Sequence, residues 1–397
     1  MTTTDRLGVF DGLVEVLEDS WPLFGDDAPT PAEVSRRLHG VLGVPRVPGV
    51  AEADVRVEAE WVRGDLSGRE LSWEAGFGPR VRGRLLRPLD GPQRLPAAVF
   101  LHCHGGMKRF GLDKLADGAD GRPVHPSLGV VRDALYGGRA PAEELARRGH
   151  LVLVHDAYGW GSRRLPVAAM PARSEAVAEL ELAARELATG APLDEAATYD
   201  VHAGPAEDAI AKALGLLGTS WAGLIAREDL LALDVLRATG EALDGVALVG
   251  LSGGGARAAI ASALRPTPEG GIGRVVLAAM VSTLRDLLAR HVHSHTWAFM
   301  TPGLARVGDW PDVVAAAAPR PLHVHYATRD RLFPSEGMTR ADDVIRRRYT
   351  GAGAAQAYSA SFADVGHSFD AAAQQTAFDW LETPGPVPGP SSPEVAR

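Results

Sequence analysis

Three side chains, far apart in the chain, have the types and spacing for nucleophilic acyl transfer: Ser252, Asp330 and His367. A serine hydroxyl is a weak nucleophile at neutral pH. It needs an imidazole to take its proton, and the imidazole needs a carboxylate to fix its tautomer and stabilise its cation. Ser252 is the centre of Gly250-Leu251-Ser252-Gly253-Gly254, a G-x-S-x-G pentapeptide. Residues 246–249 before it form a short apolar run suited to a buried strand, and Ala256, Ala258, Ala259 and Ala261 after it suit a helix. Strand, sharp turn and helix together make the setting of a nucleophile elbow, in which flanking glycines prevent collisions with neighbouring backbone. Asp330 follows the apolar segment 321–326, and His367 follows 357–362 and precedes a helical stretch. Asp364 and Asp286 are the rivals for the acid; Asp364 stands close to His367 in sequence for an orienting partner.

The same chemistry requires two backbone donors aimed at the carbonyl oxygen as it becomes negative. The Gly253 amide, directly after the nucleophile, is the first expected donor. The second is expected from His104-Gly105-Gly106, which follows the apolar run 96–101; Gly106 is favoured, with Gly105 and Met107 as rivals. His104, Trp160, Trp221, His295 and Trp297 are candidate substrate contacts, and Arg163 is weighed with Trp160. His291, His293 and His295 are spaced by two, but no nearby carboxylate or cysteine completes a metal site, so no metal is expected. Cys103 reads as a packed thiol, because no elbow presents it.

These residues need a scaffold that places several strand ends on one edge. The continuous apolar runs 96–101, 151–154, 246–249, 274–280 and 321–326 alternate with helical stretches, the pattern of a parallel α/β sheet flanked by helices. Residues 54–63, 70–74 and 80–86 alternate apolar and polar positions and suit antiparallel edge strands. Residues 1–53 read as an N-terminal helical arm, 54–382 as the catalytic domain, and the Pro-rich 383–397 as a disordered tail. Within the domain, residues 163–222 break the rhythm as a helical insertion, with a second helix starting near Pro205. It is read as a lid, a pocket wall or an oligomer contact.

The 397 residues carry a net charge of −9, with 46% apolar and 23% charged residues. Length and apolar content suit a large folded core. The acidic balance argues against nucleic acid or an anionic membrane surface as a partner. With one cysteine there is no intrachain disulfide. No basic segment followed by a long apolar run opens the chain, so a cytoplasmic location is expected.

Together, the HCHGG loop, Asp156 with Gly159 and Gly161, GLSGGG, APRP before the segment leading to Asp330, and VGHSF resemble serine α/β-hydrolases of the dienelactone hydrolase, acetyl xylan esterase and prolyl-oligopeptidase-like group. The resemblance spans residues 55 to 382. It implies the α/β-hydrolase fold and a Ser–His–Asp esterase that works without a cofactor on a small-molecule ester. Ser252 stands where true dienelactone hydrolases carry cysteine, and the long insertion departs from the smaller members. A lactone, an amide or a carbon–carbon bond beside a carbonyl would use the same machinery. A non-catalytic binding protein on this scaffold is the alternative from another class. Self-association is left open.

Overall fold

The structure is a computed structural model that describes residues 12–20, 23, 29–119 and 125–383. The expected tail from 384 onward lies outside the described residues. Among those described, the arm contributes α1 (Leu13–Ser20) and α2 (Pro31–Leu42), followed by the strands β1 (Arg56–Arg63), β2 (Leu66–Trp73), β3 (Val81–Pro88) and β4 (Ala97–Leu101). Helices α3 (Pro126–Tyr136) and α4 (Pro141–Arg147) lead to β5 (Leu151–His155). The insertion supplies α5 (Ala172–Thr189) and α6 (Glu195–Leu216), and α7 (Trp221–Ala238) returns the chain to β6 (Val246–Leu251). Then come α8 (Gly253–Leu264), β7 (Ile272–Ala278), α9 (Leu284–Arg290), α10 (Trp310–Ala315), β8 (Leu322–Ala327), α11 (Ser335–Gly351), β9 (Tyr358–Ala363) and α12 (Ala371–Glu382).

The strands form one nine-stranded sheet in the order β1-β2-β3-β5-β4-β6-β7-β8-β9. The first four in that order pair antiparallel, and β5 through β9 pair parallel. β4 to β6 and β8 are buried along their whole length, as expected for parallel strands covered on both faces. Their alternation divides two cores. Val99, Leu248, Val275 and Val324 pack with α2, α7, α8 and α10 on one face. Ala98, Phe100, Val154, Val249 and Val276 pack with α4, α12 and Phe369 on the other.

Local chemistry fixes the element ends. In α2, Thr30 and Glu33 form a reciprocal capping box, Pro31 opens the helix, and Gly43 closes it in the left-handed region. This helix buries Val34, Leu38 and Leu42 in the first core, so the arm is packed structure. The second helix of the insertion starts a full ten residues before Pro205, at an Asp194 cap, and the proline sits inside it. Proline costs an interior helix one N–H bond. Here the Ser174 hydroxyl of α5 donates to the Pro205 carbonyl (3.2 Å), and Val201, Ala203 and Ala206 bury that face.

Two charged pairs are enclosed where α7 meets the sheet. Arg163, weighed above as a pocket residue, is instead buried with Glu228, and its guanidinium also donates to the carbonyls of Phe77 (2.8 Å) and Pro79. Arg257 of α8 forks onto Asp229 at 2.6 and 3.0 Å, and His155 lies 3.0 Å from the same carboxylate. Removing one partner of such a pair strands a charge away from water. Glu228→Gln should therefore destabilise the protein by about 3–5 kcal/mol, measured by denaturant unfolding; a change within the error of that measurement would contradict this account of Arg163.

Candidate active site

The turn after β6 holds Ser252 at φ 55° and ψ −122°, a region that side chains rarely occupy and that costs roughly 1–3 kcal/mol. Its surroundings enforce it. The Ser252 amide donates to Ala278 O on β7 (2.8 Å), and its carbonyl accepts the Ala256 amide (2.9 Å), which starts α8. The glycines on either side are steric necessities. A Cβ on Gly250 would lie 2.2 Å from the Gly254 carbonyl carbon, and one on Gly254 would lie 2.0 Å from Leu101 O. Gly253 opens α8, so its amide has no intrahelical acceptor and sits at the positive end of the helix dipole.

Asp330 and His367 lie in the turns that follow β8 and β9. Their side chains meet: His367 Nδ1 is 2.5 Å from Asp330 Oδ2, and the carboxylate is fully enclosed. Asp330 Oδ1 is held separately by the Leu332 amide (2.8 Å), which aims the second oxygen at the ring. The Phe333 ring stacks on His367 at 6.1 Å. With Nδ1 engaged, Nε2 is the nitrogen left for a second partner. The rival acids are placed elsewhere. Asp364 is exposed and pairs with Arg329, while Asp286 pairs with Arg340 and Thr283. Ser252 and His367 line one open cleft of about 600 Å³, together with His104, Gly105, Gly106 and Phe299.

The loop after β4 corrects one expectation. The Gly106 amide, favoured as the second donor, donates to the ring Nδ1 of His104 (3.0 Å) and is thereby occupied. Burial, reinforced by Lys108 and Lys114, holds His104 well below the usual histidine pKa, so the ring is neutral and can accept that bond. His102 is likewise neutral: burial first, then Arg257 and Lys114, push its pKa well down. Its ring accepts the Ala157 amide at 3.3 Å, a structural task. Cys103 is a buried free thiol.

Of the expected substrate contacts, His104, His295 and Trp297 line the cleft. His295 lies between Phe299 and Phe333, with ring centroids at 4.7 and 4.9 Å, and burial lowers its pKa to about 4. Trp297 is fixed by its amide on Glu207 (2.8 Å) and its indole N–H on Asp208 (2.6 Å). Both carboxylates belong to α6, and with Gly204 they form one wall of the cleft, whereas α5 packs against α6. Trp160 lines a smaller adjoining pocket of about 30 Å³ that shares Gly253 and Phe299 with the cleft and adds Ile225 and Ile260. Trp221 lines neither; it is buried against Trp160 and Tyr158.

Sequence reasoning missed the ammonium groups around this loop. Lys108 Nζ is buried against the faces of Trp160 (4.2 Å) and Trp221 (4.4 Å) and paired with Glu207. The Lys108 and Arg109 amides donate to Asp200 Oδ1 of α6 at 2.6 and 2.9 Å. Lys114, fully buried, touches three carbonyls of the loop. Nothing in the local sequence marks Lys108 as buried; Glu207 and Trp221, which cover it, lie about a hundred residues away in the chain.

No family model matches the chain. A Bacillus subtilis protein named "Putative hydrolase YtaP" is 25% identical over 294 residues, 74% of this chain and 79% of that protein. Among solved structures, a glucuronoyl esterase from Solibacter usitatus superposes with a TM-score of 0.55 at 13% identity, over 87% of this chain and 91% of its own. An acetyl xylan esterase from Paenibacillus sp. R4 gives 0.53 at 13% identity, over 92% and 98%. Nine strands in this order, the positive-φ serine after β6 and the similarity to these esterases together give one conclusion: the chain has the α/β-hydrolase fold.

Proposed function

We propose that the chain is a serine carboxylesterase. The observation that carries this reading is the enclosed Asp330 carboxylate bonded to His367 in the cleft that also holds the strained Ser252. Ser252 Oγ attacks an ester carbonyl while His367 Nε2 takes its proton, and Asp330 stabilises the imidazolium. The tetrahedral oxyanion is received by the Gly253 amide and a second amide of the 104–106 loop. His367 then protonates the departing alcohol. Water, deprotonated by the same imidazole, releases the acid from Ser252 and restores the enzyme.

The two cavities divide the substrate. Proteins of the same fold are named as esterases of acetylated xylan and of glucuronoyl groups. Beside Gly253, the smaller pocket has room for about two water molecules. That volume suits a short acyl group, and the open cleft suits a larger alcohol.

Ser252→Ala should lower turnover of an activated acetyl ester by several orders of magnitude, about 10⁴-fold or more, with an unchanged unfolding midpoint; near wild-type rates in pure protein would sink the proposal. For the acyl side, kcat/KM should fall steeply from acetyl to octanoyl esters of one alcohol. Phe299→Ala, which enlarges the smaller pocket, should flatten that series, and an unchanged profile would show that this pocket does not receive the acyl chain.

A further inference from the structure

The loop that supplies the second oxyanion donor is built around a buried cation. Lys114 lies in a short 3-10 turn, Leu112–Lys114, and its side chain is inaccessible to solvent. Its ammonium donates to Cys103 O (3.0 Å), His104 O (2.7 Å) and Met107 O (2.6 Å). An ammonium has three protons, so this contact uses all of them. The turn that carries it is anchored in its own right. Asp156, at the end of β5, accepts the Leu112 amide on Oδ1 (2.8 Å) and the Ser162 amide on Oδ2 (2.8 Å). Gly111 and Gly161 press so closely on that carboxylate that a Cβ on either would lie 2.1–2.2 Å from Oδ1.

A trans peptide directs its C=O and its N–H to opposite sides. Carbonyls captured by Lys114 therefore turn the following amides away from it. The Met107–Lys108 peptide shows the effect: its oxygen faces Lys114, and its N–H reaches Asp200 on the other side. For the two upstream peptides the same rule turns the N–H groups of His104 and Gly105 away from the ammonium. The His104 nitrogen is pressed against the elbow, 3.1 Å from where a Cβ on Gly253 would sit. Gly105 lines the cleft, and the Gly106 amide is tied to His104 Nδ1.

We propose that Lys114 is a positioning residue which, by holding the Cys103, His104 and Met107 carbonyls, aims the Gly105 N–H as the second oxyanion donor. The proposal rests on the esterase reading. The ammonium can also be lost within reach of experiment: burial lowers the Lys114 pKa to about 8, with Lys108 adding to that effect and Cys103, Asp200 and Asp156 opposing it. A neutral amine keeps two donors for three carbonyls and presents a lone pair to the third. Turnover should therefore fall as pH rises through about 8, whereas a triad histidine alone gives a plateau there.

The test uses full-length protein and an acetyl ester, with wild-type turnover abolished by Ser252→Ala as the reference. Lys114→Met should lower kcat by about 10²–10³ and leave KM within a few fold. Affinity for a trifluoromethyl ketone, which forms an oxyanion on Ser252, should fall by the same factor as kcat. Lys114→Arg should recover part of kcat and lose the decline above pH 8. A Lys114→Met enzyme with wild-type kcat, or a loss of kcat without a matching loss of ketone affinity, overturns the proposal. Should neither variant fold, glycolic acid in place of Gly105 deletes the N–H in the otherwise native chain. The same loss of about 10²–10³ in kcat is expected, and an unchanged kcat overturns the assignment. Absence of any wild-type ester turnover overturns the parent reading and this one with it; wild-type turnover with unaffected variants overturns this one alone.

Discussion

Everything at the candidate site depends on how closely α8 is allowed to approach the sheet. The helix starts immediately after Ser252, and its first turn lies against the ends of both β4 and β6. Gly254 faces Leu101 O so closely that no side chain fits, and Gly250 faces the Gly254 peptide in the same way. This contact brings the elbow and the loop after β4 within reach of each other. Without it, the Gly253 amide and the His104–Gly106 loop would belong to separate surfaces. The strained Ser252 backbone is a consequence of that approach, and the hydrogen bond from its amide to β7 keeps it from relaxing.

Around this contact the protein encloses more charge than its ordinary composition suggests. Arg257 ties α8 to Asp229 of α7 and also donates to His102 O at 3.1 Å, so elbow helix, packing helix and β4 loop share one fixed point. Lys108 and Lys114 do the equivalent from the other side. Such groups contribute little net stability, because desolvation offsets much of their attraction. Their effect is geometric. Each fixes peptide planes and ring orientations that apolar packing leaves loose, and an oxyanion donor works only when its direction is set before the charge arrives.

How much of this was legible in the sequence depends on the distance over which each feature is encoded. The elbow was readable because strand, turn and helix are contiguous, and the glycine requirement is local. Asp330 and His367 stand out as candidates because each follows a predicted strand, 321–326 and 357–362. The parallel character of the sheet followed from the alternation of runs and helices, whereas the crossover that sets β4 between β5 and β6 has no local signal. The helix expected near Pro205 in fact starts at Glu195, because tertiary packing of Val201, Ala203 and Ala206 outweighs one missing hydrogen bond. The Gly106 assignment failed for a different reason. That amide is taken up by the His104 ring, a contact that no motif records. Trp221 looked like a pocket residue because tryptophans in insertions often are; here its face is covered by Lys108.

Glu207 gives the insertion a property that its position as a wall does not by itself convey. Its carboxylate holds Lys108, which belongs to the loop after β4, and the Trp297 amide, which belongs to the segment after α9. One side chain on α6 thus bridges opposite banks of the cleft. The Lys108 side chain and the Trp297 backbone share a partner and are not energetically independent, although nearly two hundred residues separate them in the chain. The width of the cleft and the posture of the loop after β4 are therefore linked through Glu207. A sequence that drifts on one bank constrains what the other can become, so substrate preference in such a protein changes through linked substitutions rather than one position at a time.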